Sequence, residues 1–179
     1  MPKSRVLSIT ILVLALLAFA GTVSASSSRE FEADLAGKFE VPVRATKADG
    51  EAEFTLNKKG TELRFELEVD DLKNVWMAHI HLAPAGANGP IVVWLFPRTA
   101  TPPAQAIPGK FDGKLAKGVI RAADLVGPLA GQPLSTLVEA IRAGSTYVNV
   151  HTNDFVDPPN TGPGDFPGGE IRGQIHRDH

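Results

Sequence analysis

The 179-residue chain carries 18 basic and 20 acidic residues, five histidines and no cysteine. The missing cysteine excludes disulfides and a lipid-anchored N-terminal cysteine. No basic block stands out, which argues against nucleic acid and against an anionic membrane surface as partners.

Lys3 and Arg5 precede an apolar run from Val6 to Ala20, and Val23, Ser24 and Ala25 then offer small residues for a signal peptidase. The run is about 15 residues, shorter than the ~20 needed to span a bilayer. This pattern predicts a signal peptide over 1–25, cleaved after Ala25, and a secreted or periplasmic protein with no membrane span after cleavage. Without Lys3 and Arg5 the 18 basic residues fall to 16 against 20 acidic ones, a net charge of −4 for residues 26–179. That length suits one domain able to bury a full core.

Phe31, Ala33 and Leu35 alternate with Glu32 and Asp34, as a half-buried strand does. Pro42 belongs at an edge or outside the ladder. Ala52, Phe54 and Leu56 alternate after the turn signal Asp49-Gly50, and Leu63, Phe65, Leu67 and Val69 form the return limb of an antiparallel hairpin with one wet face. After Asp70 to Asn74 comes the stretch on which the chain turns, Trp76 to Trp94. It holds His79 and His81, a Gly/Pro/Asn-rich turn, and an apolar return limb over Ile91–Phe96 that needs cover on both faces.

Pro97 to Pro108 is an irregular crossover, and Phe111, Gly113 and Leu115 begin a strand ending near Ile120. Ala122 to Val126 and Leu134 to Ala143 are the helical candidates. In the second, Leu134, Leu137, Val138 and Ile141 fall at helical spacing, with Ser135 or Thr136 as cap and Gly144 as terminator. These helices are the expected lid for the doubly apolar strand. Thr146 to Thr152 is a strand, Asn153 to Pro167 a loop, and Gly169 to His176 a final strand. Eight or so short strands predict an all-β protein, a Greek-key-like antiparallel β-sandwich of immunoglobulin or superoxide-dismutase type with a short helical insertion.

Four segments carry a resemblance: Phe31 to Pro42, Ala78 to His81 with Gly89 to Val93, Tyr147 to Thr152, and Gly168 to Gln174. In this order they resemble the chordin-type domain, CHRD, over about residues 30–176. Two departures stand out: Val43 follows Pro42 where a second proline is usual, and the Asn153–Pro167 loop is longer than typical. The resemblance implies a secreted β-sandwich. The family occurs repeated in the animal protein chordin, an extracellular antagonist of bone morphogenetic proteins, and singly in microbial secreted proteins. It therefore implies a binding role toward another extracellular or envelope protein.

Strand alternation sends His79 and His81 to one face, and places Tyr147, Asn149 and His151 on one face of their own strand. Neutral imidazole suits Cu²⁺ and Zn²⁺, so His79, His81 and His151 form a candidate metal platform. A fourth position could go to His176, to Glu170 or to water. The platform requires rings from two separate strands to meet; a separation well beyond about 8 Å would preclude one ion at bond lengths near 2 Å.

Three readings stay open: a Cu- or Zn-binding protein, an extracellular interaction or matrix module with structural histidines, and a mononuclear copper redox enzyme. A copper/zinc dismutase site would need more histidines than five allow and normally a disulfide. Glu170 and Arg172 read as a charge pair flanking the site. No serine-hydrolase elbow or zinc-protease motif is present. Asp154, Asp157 and Asp165 are spaced as turn formers rather than as a calcium loop, and Trp76, Trp94, Phe155 and Phe166 as packing aromatics rather than a ligand surface.

Overall fold

A computed structural model describes residues 29–156, 158 and 160–178. The expected signal peptide, Asp157 and His179 lie outside the described residues. Eight strands, three short 3₁₀ turns and one α-helix follow in the order β1 (Glu30–Ala36), β2 (Asp49–Leu56), β3 (Leu63–Leu82), β4 (Ile91–Phe96), β5 (Ile107–Ile120), α1 (Leu134–Arg142), β6 (Thr146–Thr152), β7 (Ile171–Gln174) and β8 (His176–Arg177).

The all-β class is as the alternation predicts, and of the two helical candidates the second is the one α-helix. The hydrogen bonding, however, does not divide into the two sheets of a Greek-key-like sandwich. All eight strands belong to one antiparallel sheet ordered β2-β1-β7-β6-β3-β4, and a further β2–β3 pairing closes β1, β2, β3, β6 and β7 into a barrel-like circuit. The cause is the 20-residue β3. Its first half pairs β2 and β5, its second half β6 and β4. Asp71 and Asn74 take positive φ (54° and 49°) inside it, a conformation Asp and Asn tolerate better than most residues. The β3–β5 register shifts in the same region. The segment that reads as a turn, Asp70 to Asn74, is thus a bend within one strand, anchored by Asp71 N–H donating to Asp112 Oδ1 and Asn74 Nδ2 donating to Gly164 O.

Inside the circuit lies an apolar core of aliphatic and phenylalanine side chains. Phe31, Leu35, Phe54, Leu67, Ile80, Val148, Val150 and Ile171 are each 1% exposed or less. α1 contributes Leu134, Leu137, Val138 and Ile141 to the same cluster, together with Val92 and Leu95 of β4. The expected lid is therefore real, although its first part is a 3₁₀ turn, Ala122–Asp124, and the bond onto β4 is Val126 N–H to Val92 O. Neither Ser135 nor Thr136 caps α1; Pro133 occupies that position with no side-chain bond.

Every residue of β6 is buried. Its inward face meets the apolar core. The opposite face carries Tyr147, Asn149 and His151, in register with His81, His79 and Met77 of β3 on one side. On the other side Tyr147 and Asn149 pair with Gln174 and Arg172 of β7. This second, polar buried layer holds the histidines.

Candidate metal centre

His79 and His81 leave β3 on one face because they are two residues apart in a strand. β6 brings in His151 from the neighbouring strand. The rings converge: centroids are 4.9 Å apart for His79–His151, 5.5 Å for His79–His81 and 6.0 Å for His81–His151. One nitrogen from each lies within 4.8 Å of the other two, and all three residues are buried.

The hydrogen bonds fix which nitrogens are free. His151 Nδ1 lies 2.9 Å from Pro167 O and His81 Nδ1 2.9 Å from Gly89 O. A carbonyl only accepts, so both Nδ1 atoms carry the hydrogen and both Nε2 atoms carry a lone pair. Metal-binding histidines characteristically donate their second N–H in this way, which sets tautomer and ring orientation. His79 Nδ1 lies 3.0 Å from His151 Nε2, so in the metal-free protein it donates to that lone pair. His79 Nε2 and His81 Nε2 are left buried with no hydrogen-bond partner. A buried acceptor without a partner costs about 1–3 kcal/mol, and a metal ion is one ligand such lone pairs can take.

Ligand nitrogens about 2.0–2.1 Å from a tetrahedral ion lie ~3.3 Å apart. The widest gap closes with a shift of about 1.5 Å, within reach of small side-chain rotations. Burial and the neighbouring imidazoles push His79 down to about 2, and burial pushes His151 down to about 4 and lowers His81. All three are therefore neutral near pH 7, the form that binds metal.

The walls are aromatic. Trp94, the β4 partner of His79, meets its ring edge-on at 4.2 Å between centroids. Tyr147 stacks on His81 at 4.8 Å and 7°. The Arg172 guanidinium lies 3.4 Å over the far face of Tyr147. Arg172 also donates to Asn88 Oδ1, Pro84 O and Ala87 O, which pins the turn that supplies Gly89.

Neither expected fourth ligand joins the cluster. The Glu170 carboxylate is buried but accepts from Thr46 Oγ1, Thr152 Oγ1 and Gly164 N–H. His176 is exposed on β8, its Nδ1 3.7 Å from Glu32. Glu170 and Arg172 are not a pair either; the carboxylate acting on Arg172 is Glu40, itself buried and bonded by Asn149 Nδ2. Burial raises the Glu40 carboxyl to about 7. Asp154 and Asp165 close turns, accepting from Val156 N–H and Thr161 N–H. Trp94 touches the site, whereas Trp76 donates to Pro103 O and meets Phe155 edge-on.

A family model described as the CHRD domain matches residues 31–158. The chain belongs to the CHRD domain family. The match takes in all three histidines and stops before β7, so the Gly168–Gln174 segment lies beyond it. No curated protein matches the chain. Within this CHRD domain, three buried histidines are placed where they could hold one metal ion.

Proposed function

We propose that this CHRD protein is a secreted metal-binding protein that holds one copper or zinc ion through His79, His81 and His151. The observation that carries it is the pair of buried, unpartnered Nε2 atoms on His79 and His81, beside carbonyl-fixed Nδ1 atoms on His81 and His151. Export is supported by the basic, apolar and small-residue succession over 1–25. Among the described residues no helix is long and apolar enough to cross a membrane.

Elemental analysis of the purified protein should find about one copper or zinc per chain, and the His79→Ala/His81→Ala variant should hold none. Added metal at a hundred times its Kd should stabilise the wild type by about 2.7 kcal/mol, a rise in Tm of roughly 5–10 °C. Unchanged Tm and no retained metal would end this reading.

A second observation favours an interaction role beside the metal. A cleft of about 640 Å³ opens between Phe39–Val43 and Ala85–Gly86, with Arg172 and Gln174 also lining it. Phe39 and Val43 on its walls are 46% and 67% exposed. Retention of an envelope or extracellular protein by the wild type but not by Phe39→Ser/Val43→Ser would support it, and equal retention by both would count against it.

A further inference from the structure

Resting on the metal-binding reading above, we infer that the centre is built for monovalent copper, with the Met77 thioether as its fourth donor. Met77 is two residues before His79 on β3, hence on the histidine face, and it is the register partner of His151 on β6. Directly opposed residues of an antiparallel pair have Cβ atoms about 4.5–5.5 Å apart. Met77 is buried, yet it is no part of the apolar cluster that fills the barrel. It belongs instead to the polar layer, two residues before His79 and directly opposite His151. Three nitrogens and a thioether make a soft, neutral donor set, which selects Cu(I) over Zn²⁺.

Charge points the same way. No carboxylate joins the cluster among the described residues, so the complex would carry the full charge of its ion. The cost of burying an ion scales with the square of its charge, so a monovalent ion pays about a quarter of the cost of a divalent one of equal size. The Arg172 cation, stacked through Tyr147 onto His81, further disfavours the divalent ion. Trp94 and Tyr147 supply the water-poor walls in which a Cu(I) centre persists.

The sequence makes the test specific, because it has no cysteine and only two methionines, Met1 and Met77. The full chain would be titrated anaerobically with ascorbate-reduced copper against a chromophoric Cu(I) chelator, with and without Zn²⁺. X-ray absorption would then be recorded at the copper edge. One Cu(I) per chain is expected, not displaced by equimolar Zn²⁺, with a sulfur scatterer beside the nitrogens. Met77→Leu, a near-isosteric change that keeps the fold, should remove the sulfur signal and weaken Cu(I) at least about ten-fold while leaving Zn²⁺ affinity within about two-fold. Retained metal with no sulfur signal, unchanged Cu(I) affinity in Met77→Leu, or displacement by Zn²⁺ would overturn this inference and leave the metal site standing. A folded wild type that takes up neither ion would overturn both.

Discussion

Arg172 shows how much of the site rests on single side chains. It is 1% exposed, and its guanidinium joins three acceptors of the Pro84–Asn88 turn to the face of Tyr147. A lysine ammonium cannot reproduce that fork or the planar stack. Arg172→Lys should therefore lower unfolding stability by about 1–3 kcal/mol, because a buried ammonium keeps fewer hydrogen bonds than the fork and loses the stack on Tyr147. Chemical denaturation checks this; a loss under about 0.5 kcal/mol would show that the turn does not depend on those bonds. The histidines were legible in the sequence because alternation puts His79 and His81 on one face whatever the topology. The same parity rule places Glu170 and His176 on a matching face but carries no information about capture by distant groups. Glu170 is held by Thr46, 124 positions away. Trp94 and Tyr147 were visible as aromatics but not as walls of the site, since that role follows from pairing with His79 and His81 across strands.

At the scale of elements, the Ala83–Pro90 turn is the piece most tightly fitted to the centre. Gly89 O accepts from His81 Nδ1 and Gly89 N–H donates to Tyr147 Oη. A Cβ at Gly89 would lie 2.0 Å from Leu82 O, a backbone atom that cannot swing aside. Gly89→Ala should thus displace the turn, release the His81 tautomer and weaken metal binding by about 10–100-fold, the range seen when partners behind a ligand are lost. Gly60→Ala is the control for a glycine change with open space around it, although its φ of +71° carries a strain of its own. Competition titration of both variants separates the effects: equal losses would refute a specific role for Gly89. The strands themselves were readable because β1, β2 and the first half of β3 each bury every second residue. Closure of the sheet was not, because it depends on β3 continuing through Asp71 and Asn74, residues whose chemistry reads equally well as a turn. The cover over β4 was read from its doubly apolar composition, and Leu125, Leu129 and the α1 face supply it.

At the scale of the whole molecule, two kinds of buried titratable group pull stability in opposite directions with pH. His79 and His151 have folded values near 2 and 4 against 6.5 for a free imidazole, and His81 is lowered as well. Below about pH 6.5 the unfolded chain binds protons that the fold refuses, so each of these contributions is complete above that pH and is lost as pH falls, by about 1.4 kcal/mol per unit. Glu40 acts with the other sign. Its folded value near 7 exceeds the free value of 4.5, so its contribution is complete below about 4.5 and is lost as pH rises through 7. Between pH 6.5 and 4.5 at least two imidazoles therefore outweigh one carboxyl, and the metal-free protein should lose about 3 kcal/mol or more across that window. Glu40→Gln keeps a neutral acceptor for Asn149 Nδ2 and removes only the opposing proton uptake. It should steepen the acid loss by about 1.4 kcal/mol per unit and flatten the decline from pH 6 to 8. Denaturant midpoints of both chelator-treated proteins, followed by the fluorescence of Trp76 and Trp94, measure each slope. Parallel curves for the two proteins would show that Glu40 ionises in the fold as freely as in water, and a flat wild-type curve below pH 6.5 would show that the histidine layer opens to protons without unfolding.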